Sequence, residues 1–91
     1  MRRLFSVWNR GYKVALFVAS DAHEALHLAA EHKHLRRAQN YRMFRDVTDT
    51  YMEDPALAGP AGSLQKLLDA DKPGIAELAN DVWHLNGKPV E

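Results

Sequence analysis

The sequence predicts an α+β fold: a small antiparallel sheet of three to five strands with one main helix packed on a face. Three observations carry this. Runs at 4–8, 13–19 and 41–48 are rich in strand formers or apolar residues, and at a strand's period of two their side chains sort into two faces. One run, 21–34, instead carries apolar residues at helical spacing. Asn86-Gly87 lies between two short apolar runs, the strongest short-range hairpin signal. A chain of 91 residues, 46% of them hydrophobic, has material for one core, so residues 1–91 read as a single domain.

Leu4 to Trp8 is the first strand. Phe5 and Val7 share one side; Leu4, Ser6 and Trp8 share the other. Asn9-Arg10-Gly11 is a turn signal. Lys13 to Ala19 is the second strand, with Val14, Leu16 and Val18 alternating with Ala15, Phe17 and Ala19. Both of its sides are apolar, which predicts a central position. Asp21 opens the helix, with Glu24 three residues on to complete a capping box. The helix is expected to run to His34, with Ala22, Ala25, Leu26 and Ala29 facing the sheet.

Residues 35–40 are a basic connection, and Tyr41 to Thr48 is the third strand. Residues 49–62 contain Pro55, Gly59, Pro60 and Gly62, so they read as a loop with at most a helical turn near Tyr51 or Ala56. Ser63 is placed to cap a short helix from Leu64 to Ala70. Pro73 suits the first turn of another, ending near Asn80. Val82–Leu85 and Lys88–Val90 then flank the Asn86-Gly87 turn, and Pro89 assigns the last strand to an edge.

The net charge is zero, but the two halves differ. Residues 1–45 hold nine Lys and Arg against three acids, a net of +6; residues 46–91 hold the reverse, −6. Kept apart in space, these halves would give a basic and an acidic face, each able to steer a partner of opposite sign. Interleaved, they would cancel. The densest cationic stretch contains Lys33, Arg36, Arg37, Arg42 and Arg45, with Tyr41 and Phe44 between them. Arginine forks take phosphates or carboxylates, and aromatic rings stack on bases. We therefore take Lys33, Arg36, Arg37, Tyr41, Arg42 and Arg45 as the candidate partner-binding residues.

His23-Glu24-Ala25-Leu26-His27 has the form H-E-x-x-H on a helix. Two imidazoles one turn apart can both reach a zinc ion, and the glutamate between them can act as general base on its water. Over these five residues the segment resembles the zincin metallopeptidases. That resemblance implies zinc, a third ligand and peptide hydrolysis. The longer form of the motif has Gly and His where this chain has Ala30 and Lys33. By helix geometry His23, His27 and His34 fall at about 100°, 140° and 120° from Ala22, one stripe beside the apolar side. They are the candidate metal ligands; the same stripe of imidazoles could also sense pH.

No cysteine is present, which excludes a disulfide framework and a thiolate site. No apolar run reaches 18 residues, so no membrane span is expected. Arg2-Arg3 is followed by too short an apolar stretch for an export signal, so the expected location is the cytoplasm. No nucleophile elbow and no glycine-rich phosphate loop occurs. The reading is a non-catalytic regulatory protein without a cofactor. Its size and style are those of bacterial or phage accessory proteins, including inhibitors of host or defence machinery. Its basic N-terminal half would dock on a protein, or alternatively on nucleic acid, and a homodimer is a further form. The dimer and inhibitor readings expect an exposed apolar patch near Trp8 or Trp83.

Overall fold

The computed structural model describes residues 2–9, 12–31 and 43–90. It is α+β, with a six-stranded antiparallel sheet. The elements are β1 (Arg3–Asn9), β2 (Tyr12–Ala19), α1 (Ala22–Glu31), β3 (Met43–Asp46), α2 (Thr48–Glu53), α3 (Pro55–Ala58), α4 (Ser63–Asp69), β4 (Gly74–Ala79), β5 (Val82–Leu85) and β6 (Lys88–Pro89). The strand order is β3-β1-β2-β4-β5-β6. The sheet therefore has one strand more than the upper end of the expected range.

Strand parity divides the core as the alternation predicts. Phe5, Val7, Phe17 and Ala19 point to one side, where Ala25 and Ala29 of α1 cover them, with Leu28, Phe44 and Ile75 at the margin. Leu4, Leu16, Val18, Ala76, Trp83 and Leu85 point to the other side, against Val47, Tyr51, Leu64, Leu67 and Leu68. The second side is covered by α2–α4, so the molecule has three layers. This corrects the expectation of one main helix: residues 49–62, read as a loop, carry most of α2 and all of α3. β2 lies between β1 and β4, the central place its two apolar sides predicted.

The start of α1 follows the capping prediction with one change. The Glu24 amide donates to Asp21 Oδ1 at 2.8 Å. The Glu24 carboxylate reaches one residue further back, accepting from the Ser20 amide at 2.8 Å. The buried stripe is rotated from the expected one. Ala25 and Ala29 are fully buried and Leu28 is half-buried, whereas Ala22 and Leu26 are exposed. Arg2 pairs with Glu24 on this first turn.

Residues 73–80 correct a larger expectation. They form β4, not a helix. Asn80 and Asp81 both have positive φ (53° and 61°), the two-residue turn that returns a strand on itself. Its residues pair Ala76 with Leu85 and Ala79 with Val82. The Asn86-Gly87 turn is as predicted, with φ of 53° and 82°. The Asn86 side chain also holds the start of β4: Oδ1 accepts from the Ile75 amide at 3.2 Å, and Nδ2 donates to the Pro73 carbonyl at 3.3 Å. A Cβ on Gly74 would run into the Asn86 side-chain amide and displace it from these bonds.

Ser63 is not the cap of α4. Gly62, in the left-handed region, holds that position. The Ser63 hydroxyl instead bonds the Pro60 carbonyl at 2.6 Å and the Ala58 carbonyl at 3.3 Å. Ala58 O also accepts from Trp83 Nε1 at 2.8 Å, which satisfies an orphan carbonyl at the end of α3. At the other end of this layer, buried Thr48 accepts from the Leu4 amide at 2.8 Å, and the Val47 amide donates to the Leu4 carbonyl at 2.8 Å. Leu4 thus finds partners for both backbone groups where β3 has ended.

Candidate binding surfaces

The two charge halves meet at one end of the sheet. Arg2 pairs with Glu24 and lies 3.2 Å from Asp71. Arg3 donates from Nε to Asp46 Oδ2 at 2.8 Å and lies 3.7 Å from Asp49. Asp46, Asp49 and Asp71 come from the acidic half. Of the two arrangements the charge split left open, this end is interleaved, because the start of β1 carries its arginines directly onto the ends of β3 and α4. Burial pushes the Asp46 carboxyl upward, but the Arg3 guanidinium and the Thr48 backbone and hydroxyl outweigh it and hold Asp46 below its usual range. Asp46 in turn raises Arg3.

Of the candidate partner-binding residues, Arg45 alone lies within the described chain. It is exposed on β3 and has no ion pair among the described residues. Lys33, Arg36, Arg37, Tyr41 and Arg42 lie outside the described residues. β3 is an edge strand. It pairs with β1 from Phe5↔Asp46 to Trp8↔Met43, and its other side has no strand among the described residues.

The histidine motif lies on the solvent side of α1. His23 and His27 are both exposed, with their Nε2 atoms 3.2 Å apart. Their rings meet edge to face, 87° between planes and 4.6 Å between centroids. Helical spacing of four residues brings them together. Glu24 does not join them: its carboxylate is held by Arg2 and the Ser20 amide. The pair borders an open groove of about 460 Å³ that Asp21, Glu24, Glu31 and Pro73 also line. His34 lies outside the described residues. Among the described residues no three His, Cys, Asp or Glu side chains are grouped to hold a metal.

A third feature was not legible in the sequence. β2 and β4 pair only over Leu16↔Ala76, Phe17↔Ile75 and Val18↔Gly74. Beyond Leu16 the strands diverge, β2 following β1 and β4 following β5. The split opens a cleft of about 490 Å³ with Leu16, Leu57, Leu78 and Tyr51 in its wall and Glu77 and His84 at its rim. Reading residues 73–80 as a helix hid it, since a cleft between strands needs the second strand. Trp83 also lines it but is only 1% exposed. This corrects the expected apolar patch at Trp83; the Trp8 side chain is not among those described.

No helix among the described residues is long and apolar enough to cross a membrane. The chain matches no protein-family model, no curated protein sequence and no solved structure. The fold and these surfaces define a class alone: a small three-layer α+β protein whose sheet ends, among the described residues, at β3 and β6.

Proposed function

We propose that this chain is a non-catalytic binding protein that docks a charged surface on a protein partner. It would act in the manner of small regulators or inhibitors of bacterial or phage machinery. The contact is the basic segment from Lys33 through Arg36, Arg37, Tyr41 and Arg42 to Arg45. One observation supports it: Arg45 stands exposed on β3, beside which no further strand lies among the described residues, while Arg2 and Arg3 are paired with carboxylates of the same chain. An open edge offers unpaired backbone groups that an extended protein segment can bond. A neighbouring arginine adds attraction for carboxylates. That combination suits a protein strand better than a nucleic acid, which cannot extend a sheet.

The test is capture of partners from a bacterial lysate with and without nuclease, using the native chain and an Arg42→Glu, Arg45→Glu variant. The expected result is a defined protein complex that survives nuclease and disappears with the variant. A complex destroyed by nuclease, with affinity falling steeply in salt, would replace this reading with the nucleic-acid one. Retention of the complex by the folded variant would refute the assigned surface.

A further inference from the structure

We propose that Asn86 is a modification site guarded by the fold: it stays asparagine while the last hairpin is closed and loses its amide to water when that hairpin opens. The chemistry lies in the sequence. Gly87 follows Asn86, and glycine has no Cβ to shield its backbone nitrogen. Asparagine is thermally labile in such a setting. The Gly87 nitrogen attacks Asn86 Cγ. A C–N bond forms, the Cγ–Nδ2 bond breaks, and Nδ2 leaves as ammonia with the proton from the Gly87 nitrogen. Water then opens the five-membered imide, at Cγ to give aspartate or at the main-chain carbonyl to give isoaspartate.

The fold blocks the first step. Asn86 is exposed, so conformation guards it and burial does not. Its Oδ1 accepts from the Ile75 amide at 3.2 Å, and its Nδ2 donates to the Pro73 carbonyl at 3.3 Å. Its backbone N–H donates to the Ile75 carbonyl at 2.9 Å. The absent Cβ of Gly74 leaves the space in which the amide sits. Closing the imide requires rotation about the Asn86 Cα–Cβ and Cα–C bonds. The first rotation breaks both side-chain bonds. The second undoes the turn, in which Asn86 and Gly87 hold φ of 53° and 82°.

The product does not fit the place it left. An ionised aspartate only accepts hydrogen bonds, so it loses the bond to Pro73 and sets oxygen against oxygen. Isoaspartate adds a carbon to the backbone of a two-residue turn whose length fixes the register of β5 and β6. An opened hairpin that has reacted cannot close as before, and the change runs one way.

The experiment is incubation of the full chain at mildly alkaline pH, folded and in guanidinium chloride, with conversion at each asparagine read by mass spectrometry of its peptides. In the unfolded chain Asn86 should convert faster than Asn9, Asn40 and Asn80. In the folded chain its conversion should be at least about tenfold slower, because it must wait for local opening. Gly74→Ala, whose Cβ displaces the amide, should convert faster than the folded native chain while keeping its circular dichroism. Asn86→Asp should lower the denaturant midpoint more than Asn80→Asp, which alters the other tight turn. Equal rates at Asn86 in the folded and unfolded chains would overturn the proposal. So would a folded Gly74→Ala chain that converts no faster, or an Asn86→Asp loss no greater than that of Asn80→Asp.

Discussion

The two sides of the sheet are built on opposite principles. The side under α1 is thin: the helix contributes Ala25 and Ala29, both fully buried, against Phe5, Val7 and Phe17. The side under α2–α4 is thick: Trp83, Leu64, Leu67, Leu68 and Tyr51 fill it. One long helix can lie close to a sheet only if its contact residues are small. Three short helices cannot lie flat together, so large side chains must fill the space between them and the strands. The difference teaches that the same sheet is sensitive to subtraction on one side and to addition on the other.

Removal of bulk from the thick side should have the largest effect. Trp83→Ala deletes a nearly fully buried ring and its hydrogen bond to the Ala58 carbonyl. We expect a loss of about 3–5 kcal/mol in urea unfolding. A loss under about 1 kcal/mol would show that the α2–α4 layer repacks freely, and the contrast between the two sides would fail.

Addition of bulk to the thin side comes next. Ala29→Leu should cost about 1–3 kcal/mol by forcing α1 away from Phe17 and Phe44. Ala30→Leu, one residue on and exposed, should stay within about 0.5 kcal/mol of the native chain. Equal effects of the two substitutions, read as thermal midpoints, would mean that α1 is not seated as closely as its alanines imply.

The smallest effect concerns the charged end that joins the two sides. Asp46 is held below its ordinary range in the folded chain. Its contribution is therefore present above the unfolded value near 3.9 and is lost as pH falls through the lower folded value. Asp46→Asn should remove that part of the acid dependence. The pair is about one-third exposed, so less than about 1 kcal/mol is expected. A stability profile below pH 4 that is identical in native and variant chains would remove the Arg3–Asp46 link from the account.

How much was legible in the sequence varied along the chain. The first two strands were legible because Leu4–Trp8 is rich in strand formers and both sides of Lys13–Ala19 are apolar. The final hairpin was legible because Asn-Gly adopts positive φ at low cost. Residues 73–80 were misread because Ala76, Glu77, Leu78 and Ala79 favour helices locally, and the Asn80-Asp81 turn lacks the glycine that marks its kind. Pairing with β2 and β5 overrode that preference. Of the candidate sites, the His23–His27 pairing was legible, since four-residue spacing on a helix decides it. The loss of Arg2 and Arg3 from the basic surface was not, because their partners Asp46, Asp49 and Asp71 are more than forty residues away in the chain.

The sequence by itself determined which side chains share a face of each strand in the first hairpin, where its last turn falls, and that two imidazoles meet on α1. These follow from periods of two and 3.6 residues and from turn chemistry, all of which act over a few positions. Only the tertiary structure decided that residues 74–79 are a strand, that the sheet parts between β2 and β4, and which arginines face solvent. Those outcomes depend on partners far apart along the chain. Local preferences there are worth tenths of a kcal/mol per residue, about the size of a helix propensity difference, and packing several buried side chains outweighs them.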